Sequence, residues 1–260
     1  MQNCISDIKE WMNGNKLKLN DEKTEVLLIH PKSYSNTTIT SLKVGNSNIP
    51  FASDARNLGV IFTDTLNMNK HISNVCRSSY FELRRIGAIR HLLTFDATKT
   101  LVCQLILSKL DYCNSLLAGL PNHQIQKLQK VQNSAARLIF RLKRSEHIQP
   151  YLKQLHWLPI KARIKFKISS LCFKSLTEPN FPSYLSKSLK PYKPSRTLRS
   201  SNDTRTFVIP RTNKTIGDRS FSVSGPSFWN ALPSCVRYSS ESKFKSSLKT
   251  FLFKSAYSTS

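Results

Sequence analysis

HQIQKLQKVQNSAARLIFRLKR, residues 123–144, is the stretch around which the rest of the chain is arranged. At about 100° per residue, Leu128, Val131, Ala135, Leu138, Ile139 and Leu142 gather on one side of a helix. Lys127, Lys130, Arg137, Arg141 and Arg144 gather on a separate face. One face suits a protein core, and the other offers a row of cations at helical spacing. That division is expected of a helix that lies on a protein body and faces a polyanion. A solvated charged face is the ordinary alternative, and the composition of the whole chain bears on the choice.

The 260 residues carry 40 Lys+Arg against 15 Asp+Glu, a formal net charge of +25 and a pI near 10.1. Such a charge repels itself in the compact state, so a neutralising partner is expected. Nucleic acid is the first candidate, because phosphate contacts release condensed counterions; an anionic membrane surface is the second. No apolar run approaches the ~20 residues needed to span a bilayer, and MQNCISDIKEW at the start lacks the basic and apolar regions of a signal peptide. No membrane partner and no secretion are therefore expected. Cys4, Cys76, Cys103, Cys113, Cys172 and Cys235 are far apart and form no CxxC pair. That pattern suits reduced thiols in an intracellular protein, nuclear or cytoplasmic, and neither a disulfide framework nor a zinc site. No P-loop, GxGxxG, HExxH or GxSxG motif is present.

Working outward, Ile5, Ile8, Trp11 and Met12 at helical spacing predict a first helix with Trp11 on its apolar face. Short β-like pieces follow at 16–19, 24–30, 41–44 and 48–51, with Gly45-Asn46-Ser47 as a hairpin turn and NLGVIF at 57–62 as one more strand. From Leu66 the period turns helical. Over 70–89, Ile72, Val75, Cys76, Leu83 and Ile86 form the apolar face, and Lys70, Arg77 and Arg84 lie opposite. Glu82 offers these cations an internal ion pair. A second helix, capped by Asp96 and running to about 117, carries few charges and is expected to be the most buried. A further helix is predicted over 160–176 and a last one over 242–253. Between them, 190–211 is basic, proline-interrupted and poor in helix signals, so an extended segment is expected there. Tyr192, Arg196 and Arg199 within it are suited to single-stranded RNA through stacking and charge, or to a plain solvated linker. The fold class expected is α+β: a small N-terminal β-sheet with one helix, a mainly α-helical bundle, then an irregular basic tail.

Several stretches, in order, resemble a known family. They are WMNGNKLKLNDEKTEVLLIH (11–30), NLGVIFTDTLNMNKHI (57–72), LDYCNSLLAGLP (110–121) and LQKVQNSAARLI (128–139). The tail adds TLRSSND, RSFSVSGPSFWNALP and FKSSLKTFLF. Together they are similar to the C-terminal portion of a LINE-type (non-LTR) retrotransposon reverse transcriptase, nearest in texture to the jockey and chicken-repeat branches. The resemblance implies a palm remnant at 1–66, a helical thumb-like domain at 67–176 and a basic tail with a terminal amphipathic helix at 177–260. It implies a primer-grip-like hairpin at Leu58, Gly59, Val60 and Phe62. It also implies phosphate contacts from the helical cations to RNA or an RNA–DNA template–primer, and association with the rest of such a polymerase.

The departure from the family bears on activity. Polymerases of this kind hold two metal ions about 3.5–4 Å apart on clustered carboxylates, within a YADD- or FADD-type signature that this sequence lacks. Asp21 and Glu22 are the only adjacent acids, and no Tyr-Ala precedes them. The chain is not expected to polymerise DNA by itself and needs no cofactor; the Mg requirement belongs to a full-length polymerase. If the signature is encoded upstream, the chain is part of an active RNA-directed DNA polymerase. A non-enzymatic helical scaffold that binds another protein is the alternative of a different class.

Overall fold

After one short helical stretch, the β-like pieces fall before residue 66 and 3.6-residue periodicity dominates the remainder, and the fold divides accordingly. The computed structural model describes residues 2–20, 23–30, 40–44, 47–193 and 205–258. The chain is α+β and separates into two compact units, Met1–His71 and Ile72–Ser260.

The first unit opens with α1 (Gln2–Gly14). Strands β1 (Val26–Leu27), β2 (Ser41–Val44) and β3 (Ser47–Ala52) form a sheet of order β1-β3-β2. β1 runs parallel to β3, with Val26 beside Phe51, and β2 is antiparallel, with Leu42 beside Ile49. The predicted strand over 16–19 is absent; Lys16 adopts φ 57° there instead. Residues 45 and 46 of the expected hairpin turn lie outside the described residues. Trp11 differs from expectation: it is 65% exposed. α1 packs on β2, and a four-residue strand is too short to cover two turns of apolar helix face.

NLGVIF is not one strand. β4 (Asp54–Asn57) and β5 (Val60–Thr63) pair antiparallel around Leu58-Gly59. Both turn residues have positive φ, 46° and 83°, as a type I′ turn, one of the two that match the strands' twist, requires. Glycine accepts this conformation freely. Leucine does not, and Leu58 is 83% exposed at the tip. Val60 is buried beneath it and Phe62 half-buried.

The second unit is helical. α2 (Asn69–Ala88) buries Ile72, Leu83 and Ile86, with Val75 and Cys76 half-buried. α3 (Phe95–Val102) is capped by Thr94, whose Oγ1 accepts from the Ala97 N–H at 3.2 Å; Asp96 sits inside the first turn, favourably placed in the helix dipole. The predicted continuous helix to 117 is broken into a π-helical turn (Cys103–Leu107), α4 (Ser108–Asp111) and a 3-10 turn (Asn114–Leu117). The extra residue of a π turn rotates the succeeding face. Ile106 is thereby buried while Leu105 points outward.

α5 (Asn122–Phe140), α6 (Gln149–Gln154) and α7 (Ile160–Thr177) follow. After α8 (Ser183–Ser186), the tail is more helical than its composition suggests: α9 (Thr215–Asp218), α10 (Phe221–Asn230), α11 (Ser234–Arg237) and α12 (Glu241–Tyr257). α10 and α12 pack on α7. Phe173 of α7 stacks on Phe244 of α12 at 3.9 Å and 9°. Trp229 of α10, fully buried, lies 5.9 Å from the Phe244 ring and donates to the Arg205 carbonyl at 2.6 Å. Gly225 permits the close approach of α10: a Cβ there would stand 3.2 Å from Cys172 Sγ and 3.2 Å from Leu189 Cδ2. Burial pushes the Cys172 thiol up to about 12, so it remains protonated. All six cysteines are free thiols. Among the described residues no helix is long and apolar enough to cross a membrane.

Phe244→Ala should lower stability by roughly 3–5 kcal/mol in urea unfolding of the helical unit, because the Phe173 and Trp229 rings lose their common partner; an unchanged midpoint would mean the tail is not docked. Leu58→Asn should stabilise the hairpin by about 1 kcal/mol, read by hydrogen exchange of the β4 and β5 amides.

Candidate nucleic-acid interface

The apolar stripe of α5 buries Leu128, Val131, Ala135 and Ile139, which turns the cationic face outward. Five helical-row cations, Arg84, Lys130, Arg137, Arg141 and Arg144, line one cleft of about 1180 Å³. Arg84 comes from α2 and Lys130 and Arg137 from α5, with Tyr80, Leu83 and Leu138 as apolar lining. No Asp or Glu lines it.

The cations are not equivalent. α5 ends at Phe140, four residues before the predicted end, because Arg141 adopts the left-handed conformation, φ 57°. The Arg141 and Leu142 N–H groups both turn back to the Arg137 carbonyl, the latter at 3.0 Å, which closes the helix as a left-handed cap does. Arg144 therefore stands in the following loop and not on the helix. That loop is held by Glu146, whose carboxylate accepts from the Lys143 N–H at 2.9 Å and from Tyr151 Oη at 3.1 Å. The neighbouring carboxylate raises the Tyr151 pKa.

Arg90 also lines the cleft and was missed in the sequence. It lies past the end of α2, and its guanidinium donates to the carbonyls of Leu138 (3.0 Å), Ile139 (2.7 Å) and Leu93 (2.9 Å). Burial, then the charge of Arg141, lowers its pKa from the ordinary guanidinium value. Arg141 donates to the Arg90 carbonyl at 3.2 Å, and Arg137 to the Glu146 carbonyl at 3.3 Å with its Nε buried and unpartnered. Arg90 is thus a fastening for the end of α5. Arg84, Lys130 and Arg144 are exposed and have no ion-pair partner among the described residues, so their donors face solvent.

The other predicted site residues lie elsewhere. Lys127 and Arg77 are exposed outside the cleft lining. Glu82 pairs with Arg85 and Lys109, at 3.3 and 3.5 Å, leaving Arg84 unengaged. Lys70 belongs to the first unit and pairs with Asp54, which holds the Asp54 carboxyl below its usual range. Leu58, Gly59, Val60 and Phe62 form the hairpin in that unit. Arg196 and Arg199 fall outside the described residues.

Among the described residues no group of three or more His, Cys, Asp or Glu side chains is placed to hold a metal ion. The cleft lining carries arginines and a lysine beside Asn133 and Ser134, and no carboxylate. Comparison with protein-family models, with curated proteins and with solved structures returned no match.

Arg90→Ala should destabilise the helical unit by roughly 2–3 kcal/mol, since buried carbonyls lose a charged donor, whereas exposed Arg84→Ala should stay within about 0.5 kcal/mol. Thermal unfolding of the two variants side by side checks this; equal effects would place both arginines in the same role.

Proposed function

We propose that the cleft between α2 and α5 binds the phosphate backbone of RNA or of an RNA–DNA duplex. The observation that carries this reading is the convergence of Arg84, Lys130, Arg137, Arg141 and Arg144, with Arg90, on one cleft whose lining holds no carboxylate. Backbone contacts of this kind fix position without reading sequence. The exposed Tyr80 beside Arg84 adds a surface on which a base can stack.

We further propose that the chain is the C-terminal part of a LINE-type reverse transcriptase of the jockey-like branch. In this reading residues 67–176 act as the thumb and the Leu58-Gly59 hairpin supports a primer end. An exposed leucine held at positive φ fits a tip that meets another surface. Binding, not polymerisation, is the activity proposed, in an intracellular setting where the free thiols stay reduced.

Fluorescence anisotropy against a labelled RNA–DNA primer–template, single-stranded RNA and duplex DNA across a salt series tests the proposal. The logarithm of affinity should fall with that of salt by about 0.7–0.9 per phosphate neutralised. Neutralising Arg84, Lys130 and Arg144 to Gln together should reduce that slope by about 2–3 without unfolding the chain. A salt-independent affinity, or an unchanged slope in the triple variant, would overturn it and leave a protein-binding scaffold as the better account.

A further inference from the structure

A second cavity, of about 530 Å³, lies in the helical unit away from the cationic cleft. Its volume falls within the range of small-molecule sites. Three segments build it: the stretch from Asp111 to Asn114, the turn from Leu155 to Leu158, and one face of α7 with Lys249 of α12.

The walls are fixed before any ligand arrives. The Leu158 carbonyl accepts from both Gln132 Nε2 and Arg163 Nε, each at 2.9 Å. Tyr257 Oη donates to the Trp157 carbonyl at 2.7 Å. Two non-glycine residues at these segments hold left-handed backbone, Cys113 at φ 51° and His156 at φ 54°. Such conformations persist only where the surroundings enforce them, and they concentrate at ligand sites.

The polar groups divide into acceptors and cations. Asn114 is 4% exposed, and its Oδ1 has no hydrogen-bond partner; its Nδ2 makes only a long contact, 3.4 Å, to Asp111 Oδ1. A buried acceptor left unmade is unfavourable, and a ligand N–H relieves it. Asp111 keeps its carboxylate half exposed while Oδ2 accepts from Arg163 at 2.6 Å. Arg163, Phe166 and Lys167 follow one another over a single turn of α7, on one face. Lys167 and Lys249 are exposed and have no ion-pair partner among the described residues, which suits them to a phosphate.

We propose that this cavity binds a guanine nucleotide, its base among the apolar walls and its phosphate on Lys167 and Lys249. Guanine presents adjacent N1–H and N2–H₂ donors, which match the paired acceptors, the Asp111 carboxylate and Asn114 Oδ1. Adenine and cytosine offer one amino group and uracil a single imino N–H, so they satisfy fewer of them. The nucleotide is either free or the terminal guanosine of a strand, and the chemistry of recognition is the same for both.

Isothermal titration of the full chain with GMP, AMP, CMP, UMP and inorganic phosphate tests the assignment. GMP should bind tightest, and the Lys167→Ala/Lys249→Ala variant should weaken it by about tenfold or more. Asn114→Leu, which removes the orphaned acceptor while filling its space, should keep the fold and erase the preference for GMP over AMP. A short RNA ending in guanosine, beside one ending in an abasic residue, separates the sources. Tighter binding of the guanosine-ended strand than of GMP assigns the cavity to a strand end, and equal binding to the free nucleotide. The proposal is overturned if phosphate alone binds as well as GMP, if the four nucleotides bind alike, or if no nucleotide binds a chain shown by circular dichroism to be folded. The Arg84, Lys130 and Arg144 variant should leave GMP affinity unchanged, so this site and the cleft stand or fall separately.

Discussion

The C-terminal end of α5 depends on one guanidinium that comes from beyond the end of α2. A helix finishes with four carbonyls that lack intrahelical partners, and here Arg90 meets two of them, at Leu138 and Ile139, while also holding Leu93. A cation at that position is further favoured by the negative end of the helix dipole. The chain has no glycine at the stop, so Arg141 takes the left-handed conformation itself. Two arginines thereby perform the work that glycine and backbone ordinarily share at a helix end. The consequence is geometric: once the end of α5 is fixed to the end of α2, Arg84, Lys130 and Arg144 are brought around one cleft.

A second constraint is the crowding of α7. It meets α5, α10, α12 and the 3-10 turn, so it is buried on several sides and cannot be sharply two-faced. Ile164, Ile168, Cys172 and Phe173 go inward, whereas Lys161, Lys165 and Lys167 keep their charges in water. Lys165 lies 5.8 Å from the Phe228 ring, so its ammonium remains solvated while facing an aromatic surface. The stacked Phe173 and Phe244 rings, with Trp229 tilted against both, then turn a serine- and lysine-rich tail into part of the helical body.

Much of this architecture was legible, and what was not has identifiable causes. α2 and α5 follow from 3.6-residue spacing, because a long apolar stripe leaves little choice of element, whereas α7 is marked by Pro159 ahead of a long run without Gly or Pro. The end of α5 was not legible: Phe-Arg-Leu-Lys-Arg contains neither Gly nor Pro, and Arg90, which fastens the end that Arg141 closes, lies 48–49 positions upstream of the carbonyls it meets. For the same reason nothing around Arg90 distinguishes it from its basic neighbours. The β4–β5 turn was hidden because Leu58-Gly59 lacks the Asn or Asp that ordinarily marks such a turn. Trp11 was misread because helical spacing shows which face is apolar and not whether anything is large enough to cover it. The cation row gave the right residues for the cleft in part. Lys127 and Arg77 share the spacing of Lys130 and Arg84, and only the relative placement of α2 and α5 separates those that line the cleft from those that do not.

The distribution of acids explains why the cleft stays positive. Among the described residues, four carboxylates of the helical unit are engaged elsewhere: Glu82 with Arg85 and Lys109, Asp111 with Arg163, Glu178 with Lys174, and Glu146 with a backbone amide and Tyr151. The exposed Lys174–Glu178 pair contributes only ~0–1 kcal/mol, so stability alone gives little reason to place it away from the most cationic surface. Keeping Arg84, Lys130 and Arg144 unpaired is moderately unfavourable in the free chain, because salt screens like charges only beyond about 8 Å. The same arrangement becomes favourable once a polyanion enters, since no internal ion pair has to be broken before phosphate is bound. A surface whose acids are withheld from its cations is therefore ready for a phosphate backbone in a way that an equally basic but internally paired surface is not.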